Sequence, residues 1–109
     1  MQISKIVEKL GLTVLVGGDL TPEVTGGYVA DLLSCVIAGA KPQDLWVTLQ
    51  THVNIVAVAA LKEVAGIVVA ENAVVPEATL EKAKQQGVVM LSSPLPIYET
   101  VKQLVALGL

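Results

Sequence analysis

The sequence predicts a three-layer α/β/α fold with a mostly parallel sheet of four to five strands. Two observations carry this. Short β-rich apolar runs alternate with helical stripes at roughly 20-residue spacing. The chain is also 53% hydrophobic and only 16% charged, which suits strands covered on both faces by helices. At 109 residues it is long enough for a core of its own, and residues 1–109 are expected to form one domain.

The elements follow in order. Ile3, Ile6, Val7 and Leu10 fall on one helical face, and Gly11 is placed to close that helix. Residues 12–16, Leu-Thr-Val-Leu-Val, read as a strand. Gly17 to Gly27 read as a loop, long for so compact a chain and therefore a functional suspect. Val29, Leu32, Leu33 and Val36 form the next helical stripe, ended by Gly39 and Pro42. Residues 45–49 read as a buried strand, and residues 52–64 as a helix apolar nearly all round, central to the domain or covered by a partner subunit. A strand at 67–70, a polar helix at 77–86 closed by Gly87, a strand at 88–91 and a helix carrying Ile97, Val101, Leu104 and Val105 complete the chain.

Charge and composition exclude several classes. The net charge is -3, and all seven basic residues are scattered lysines, with no Arg to fork onto phosphate or base edges. No basic stripe forms, so nucleic acid is not an expected partner. The longest uncharged run, between Asp44 and Lys62, is interrupted by Gln50, Thr51, His52 and Asn54, so no membrane span is expected. The amphipathic N-terminus lacks the apolar core of a secretory signal, and the expected location is cytoplasmic. A single cysteine, Cys35, rules out a disulfide scaffold. It lies among apolar helix positions and is expected to be buried and structural. Its spacing from His52 fits no zinc motif, and one cysteine cannot hold an iron–sulfur cluster, so no metal or cofactor is expected.

In open parallel sheets ligands bind beyond the carboxyl ends of the strands. The polar residues gather where those ends are predicted: Gly17, Gly18 and Asp19; then Thr48, Gln50, Thr51, His52 and Asn54; then Glu71 and Asn72; then Ser92 and Ser93. They are either a shared binding rim or ordinary caps and turns. His52, the only histidine, is expected to bond to backbone; it has no carboxylate orienter close in sequence. Gly26-Gly27, read as preceding a helix, offers backbone N–H groups to an anion, unless Thr25 caps that helix instead. Asp31 falls on the first turn of the same helix in this reading. The Walker, dinucleotide-binding and nucleophile-elbow motifs are all absent, and no catalytic residues are expected.

The segments Thr25–Ser34 and Trp46–Ala59 resemble the DRTGG domain, above all its short stand-alone members found with iron-only hydrogenase genes. Those members look like the N-terminal domain of HPr kinase/phosphorylase. The family's Asp-Arg-Thr-Gly-Gly aligns with Glu23-Val24-Thr25-Gly26-Gly27, and Val24 replaces its Arg, which weakens any anion-binding role carried over from the motif. The resemblance implies an α/β/α fold and a regulatory or assembly role, without kinase activity. The residues and the resemblance together point to a non-catalytic regulatory domain, expected to be a homodimer, that senses a small molecule. Its expected ligand residues are Thr25, Gly26, Gly27, Asp31, Gln50, Thr51, His52, Asn54 and Ser92. The alternative is an assembly accessory of an iron-only hydrogenase or other redox complex, acting through an apolar surface.

Overall fold

The computed structural model describes all 109 residues. Ten elements follow in order: α1 (Ile3–Leu10), β1 (Thr13–Val16), β2 (Gly26–Val29), α2 (Leu33–Gly39), β3 (Asp44–Thr48), α3 (Asn54–Lys62), β4 (Gly66–Val69), α4 (Glu77–Gln86), β5 (Met90–Ser92) and α5 (Ile97–Ala106). The strands lie side by side in the order β1-β5-β4-β3-β2. β2 to β5 are parallel, and β1 runs antiparallel to β5.

Period-2 alternation in the strands divides the core between the two faces. Trp46, Ile67, Val69 and Met90 turn to one face and pack with Val36 of α2, Ile55, Val56 and Ala59 of α3, and Ala83 of α4. Leu45, Val47, Val68 and Leu91 turn to the other and meet Ile3 and Ile6 of α1 and Leu104 of α5. The sheet is thus the middle of three layers, as the near-continuous apolar runs of β3 and β4 predict. Gly11 and Gly87 close α1 and α4 in the left-handed conformation, each donating its N–H back into the helix.

Three features depart from the sequence reading. Gly26–Val29 is a strand, not the end of a loop and the start of a helix. Its pairing with Asp44–Val47 of β3 overrides a local sequence poor in strand formers. Val29 and Leu32 are exposed, so the apolar stripe of α2 begins only at Leu33. Second, α3 is not buried all round: Ile55, Val56, Val58 and Ala59 face the sheet, while Leu61 is 66% exposed. Third, Cys35 lies on the exposed side of α2, and it is Val36 that enters the core.

The segment after β1 has a structural role. Residues 20–24 run back along the start of the chain, with Ile3 N donating to Pro22 O, Ser4 N to Leu20 O and Val24 N to Met1 O. Val24 is buried beside α1. Asp19 accepts both the N–H and the hydroxyl of Thr21, at 2.9 and 2.6 Å, and the Thr21 hydroxyl chiefly holds the Asp19 carboxyl below its usual range.

Candidate functional site

Because β2, β3, β4 and β5 are parallel, their carboxyl ends share one rim, and the β3–α3 and β4–α4 connections leave from it. The rim places Asp31, Gln50, Thr51, His52, Asn54 and Ser92 at one end of the sheet. Thr25, Gly26 and Gly27 are elsewhere. They lie at the amino end of β2, where Thr25 N donates to Gln43 O and Gly26 pairs with Asp44. Gly17, Gly18 and Asp19 also fall outside the rim, because β1 runs the other way and carries them to its opposite end. The nine expected ligand residues therefore form two groups.

Asp31 is fixed at the rim from two directions. One carboxylate oxygen accepts the Thr48 hydroxyl at 2.8 Å and the Leu49 N–H at 2.8 Å. Its neighbour Ala30 offers its carbonyl to the indole N–H of the fully buried Trp46, at 2.8 Å. Asp31 thus ties the β2–α2 turn to the end of β3, rather than sitting in the first turn of a helix. Thr48 in turn accepts the Gln50 N–H at 3.0 Å, which shapes the start of the β3–α3 loop.

His52 bonds to backbone, as expected: its Nδ1 accepts the Asn54 N–H at 3.1 Å, which leaves the proton on Nε2. The ring thus takes one of the free N–H groups at the start of α3, a job usually done by Ser, Thr, Asp or Asn. The side-chain amides of Gln50 and Asn54 bond no protein group and point no donor or acceptor into the core. From across the loop the buried Thr79 of α4 donates its hydroxyl to Thr51 O at 2.7 Å, a tether that no sequence pattern signalled.

The end of β4 is strained. Glu71 and Asn72 are consecutive and both left-handed, with φ of 57° and 52°. Non-glycine residues adopt this conformation uncommonly; Gln43 and Glu63 share it at the amino ends of β3 and β4. Their N–H groups hold the turn down, Glu71 to Leu95 O at 2.8 Å and Asn72 to Ser93 O at 2.9 Å. Beneath them Ser93 and Thr100 share a buried hydroxyl–hydroxyl bond of 2.8 Å. Asp31 Oδ1 and His52 Nδ1 each accept a backbone N–H, from Leu49 and Asn54. No three His, Cys, Asp or Glu side chains converge for a metal. No helix is long and apolar enough to cross a membrane.

The sequence matches no protein-family model and no curated protein. Its structure is similar to that of the CBS and DRTGG domains of the regulatory region of Clostridium perfringens pyrophosphatase, complexed with the activator diadenosine tetraphosphate. The TM-score is 0.72 at 13% identity, over 95% of this chain and 46% of the other. The fold is DRTGG-like. This chain spans less than half the length of that regulatory region. In this DRTGG-like fold the Gly26-Gly27 pair sits in the edge strand β2 and does not precede a helix.

Proposed function

We propose that this chain is a non-catalytic regulatory domain that binds a small molecule at the carboxyl-end rim and works as a homodimer. The observation that carries the reading is the rim itself. Asp31 and His52 are held by backbone bonds, and the amides of Gln50 and Asn54 stand free at the same end of the sheet as the Glu71–Asn72 turn. The likeness to a regulatory region that takes a nucleotide activator supports the same class of role. That likeness carries no link to a hydrogenase, so the accessory reading rests on the sequence resemblance alone.

The charges narrow the ligand. Residues 30–32, 49–53 and 70–76 contain Asp31 and Glu71 and no lysine. A polyphosphate would meet carboxylates there without a side-chain cation to pair with. The rim is suited to an uncharged polar group, such as a nucleobase or sugar, gripped by amides.

Thermal melting against nucleosides, nucleotides, acyl phosphates, phosphosugars and divalent metals tests this. A ligand at a hundred times its dissociation constant adds about 2.7 kcal/mol. That corresponds to a rise of roughly 10 °C or more in Tm for a domain of this size. The rise is expected with a nucleoside or nucleotide, not with tripolyphosphate alone, and Gln50→Ala is expected to abolish it. A flat panel, or a shift that survives Gln50→Ala and Asn54→Ala together, would remove the rim as the site.

A further inference from the structure

We infer that a second copy of this chain docks on the open edge of β2, pairing β2 with β2 antiparallel about a twofold axis normal to the sheet. The inference rests on the homodimer part of the proposed function and supplies its surface.

The sheet has two edges, and they are not alike. β1 is blunted by a register break between Val14 and Val16, the kind of bulge that discourages edge pairing. β2 pairs with β3 in unbroken register from Gly26 to Val29 and carries no charge and no proline, so its outer edge is an unprotected template. Gly27 strengthens the case. It is exposed, its φ lies outside the left-handed region, and an added Cβ would meet only Leu45 O, at an ordinary 3.5 Å. Nothing within one copy requires glycine there, and a bare backbone at a strand edge suits close approach by another backbone.

Charge selects a second copy as the occupant. Asp31, with one oxygen held by Thr48 and Leu49, is exposed at the carboxyl end of β2, and Lys41 is exposed at the amino end beside Gly26 and Gly27, where the only carboxylate lining the same hollow, Asp44, is buried. Antiparallel pairing sets the Asp31 end of each copy against the Lys41 end of the other, a self-complementary arrangement. Glu23, also near the amino end, is already neutralised by the amino group of Met1 at 2.7 Å. A stable interface takes about 800 Å² per partner, roughly one-seventh of the 5570 Å² surface, so strand pairing alone does not complete it and the flanking surface must take part. An apolar groove of about 140 Å³ runs between Val29 and Val47 of the sheet and Val101, Val105 and Leu109. A twofold axis normal to the sheet sets the two copies of this groove side by side.

Sedimentation equilibrium of wild type, Val29→Lys, Lys41→Glu and the control Leu61→Lys across the micromolar range tests the inference. Val29→Lys adds a charge at an exposed edge position, and Lys41→Glu sets like charge against Asp31. Each is expected to weaken the dimer at least about tenfold, which is about 1.4 kcal/mol. Leu61→Lys, on α3, is expected to leave it unchanged. Amide exchange in Gly27–Ala30 is expected to slow as wild type is concentrated. A dimer indifferent to both Val29→Lys and Lys41→Glu would overturn the interface alone. A monomeric wild type would overturn the interface and the homodimer, and would leave the ligand reading to the melting panel.

Discussion

Trp46→Ala is expected to lower the stability of this protein by about 3–5 kcal/mol, the usual cost of deleting a fully buried large aromatic side chain. Trp46 has no exposed surface, sits mid-way along the interior strand β3, and packs in the layer formed with α2, α3 and α4. Domains of this size have only about 5–15 kcal/mol in total, so the variant would lose a large share of its margin. Urea denaturation would show a lower midpoint with an unchanged slope. Trp46→Phe separates packing from hydrogen bonding. It keeps an aromatic ring but removes the indole N–H from Ala30 O, a bond next to Asp31. Its expected cost is smaller, and its signature is faster amide exchange at Leu49, whose N–H is held by Asp31. A Trp46→Phe protein with wild-type exchange at Leu49 would show that the indole does not position the rim.

The second large effect is at Gly39, the last residue of α2. Gly39 has ordinary φ, so backbone conformation does not explain it. Its neighbour does: an added Cβ would lie 2.5 Å from the Tyr28 hydroxyl oxygen and 2.6 Å from ring carbon Cε1. Real side chains do not approach so closely. Tyr28 cannot simply swing away, since its hydroxyl donates to Cys35 O at 3.0 Å and its ring packs on the core. Gly39→Ala is therefore expected to cost about 1–3 kcal/mol by overpacking, though alanine is otherwise the better helix residue. A double-mutant cycle checks the cause. In a Tyr28→Ala background the Gly39→Ala penalty is expected to vanish or change sign. A penalty that persisted there would place the strain elsewhere.

Much of this architecture was legible because helix stripes and strand runs repeat with clean periods. Ile3 and Ile6, Val36, Ile55 and Val56, and Leu104 all lie where periodicity puts them. β2 was not legible. Gly26-Gly27-Tyr28-Val29 is a strand because β3 offers a register, and no local signal records that offer. The spacing of Val29 to Leu33 and Val36 imitates a helix face although Val29 belongs to a sheet edge.

The rim was partly legible for the same reason. Parallel strands send their carboxyl ends one way, so residues following runs of β-formers could be assigned to it. Thr25, Gly26 and Gly27 do not belong to it, because they open the edge strand β2, which carries no strand signal of its own. His52 bonds to backbone, as a lone histidine without a nearby carboxylate predicts. The Asp31–Thr48 bond and the Thr79–Thr51 tether cross between elements far apart in sequence, and residue spacing does not encode such contacts.

The reversed first strand also bears on how the chain acquires its shape. Strands β2 to β5 are each paired with the next in sequence, so each parallel pair closes over one helix. β1 finds its partner in β5, at the far end of the chain, and only after most of the backbone has been ordered does that closure become cheap. The β1–β5 seam is therefore expected to close last in folding and to show the fastest amide exchange among the strand pairs. While it is open, the molecule is a four-stranded parallel sheet with the backbone of Ser92 and its neighbours laid bare. A nascent chain faces the opposite order, for β1 leaves the ribosome first and must wait for β5.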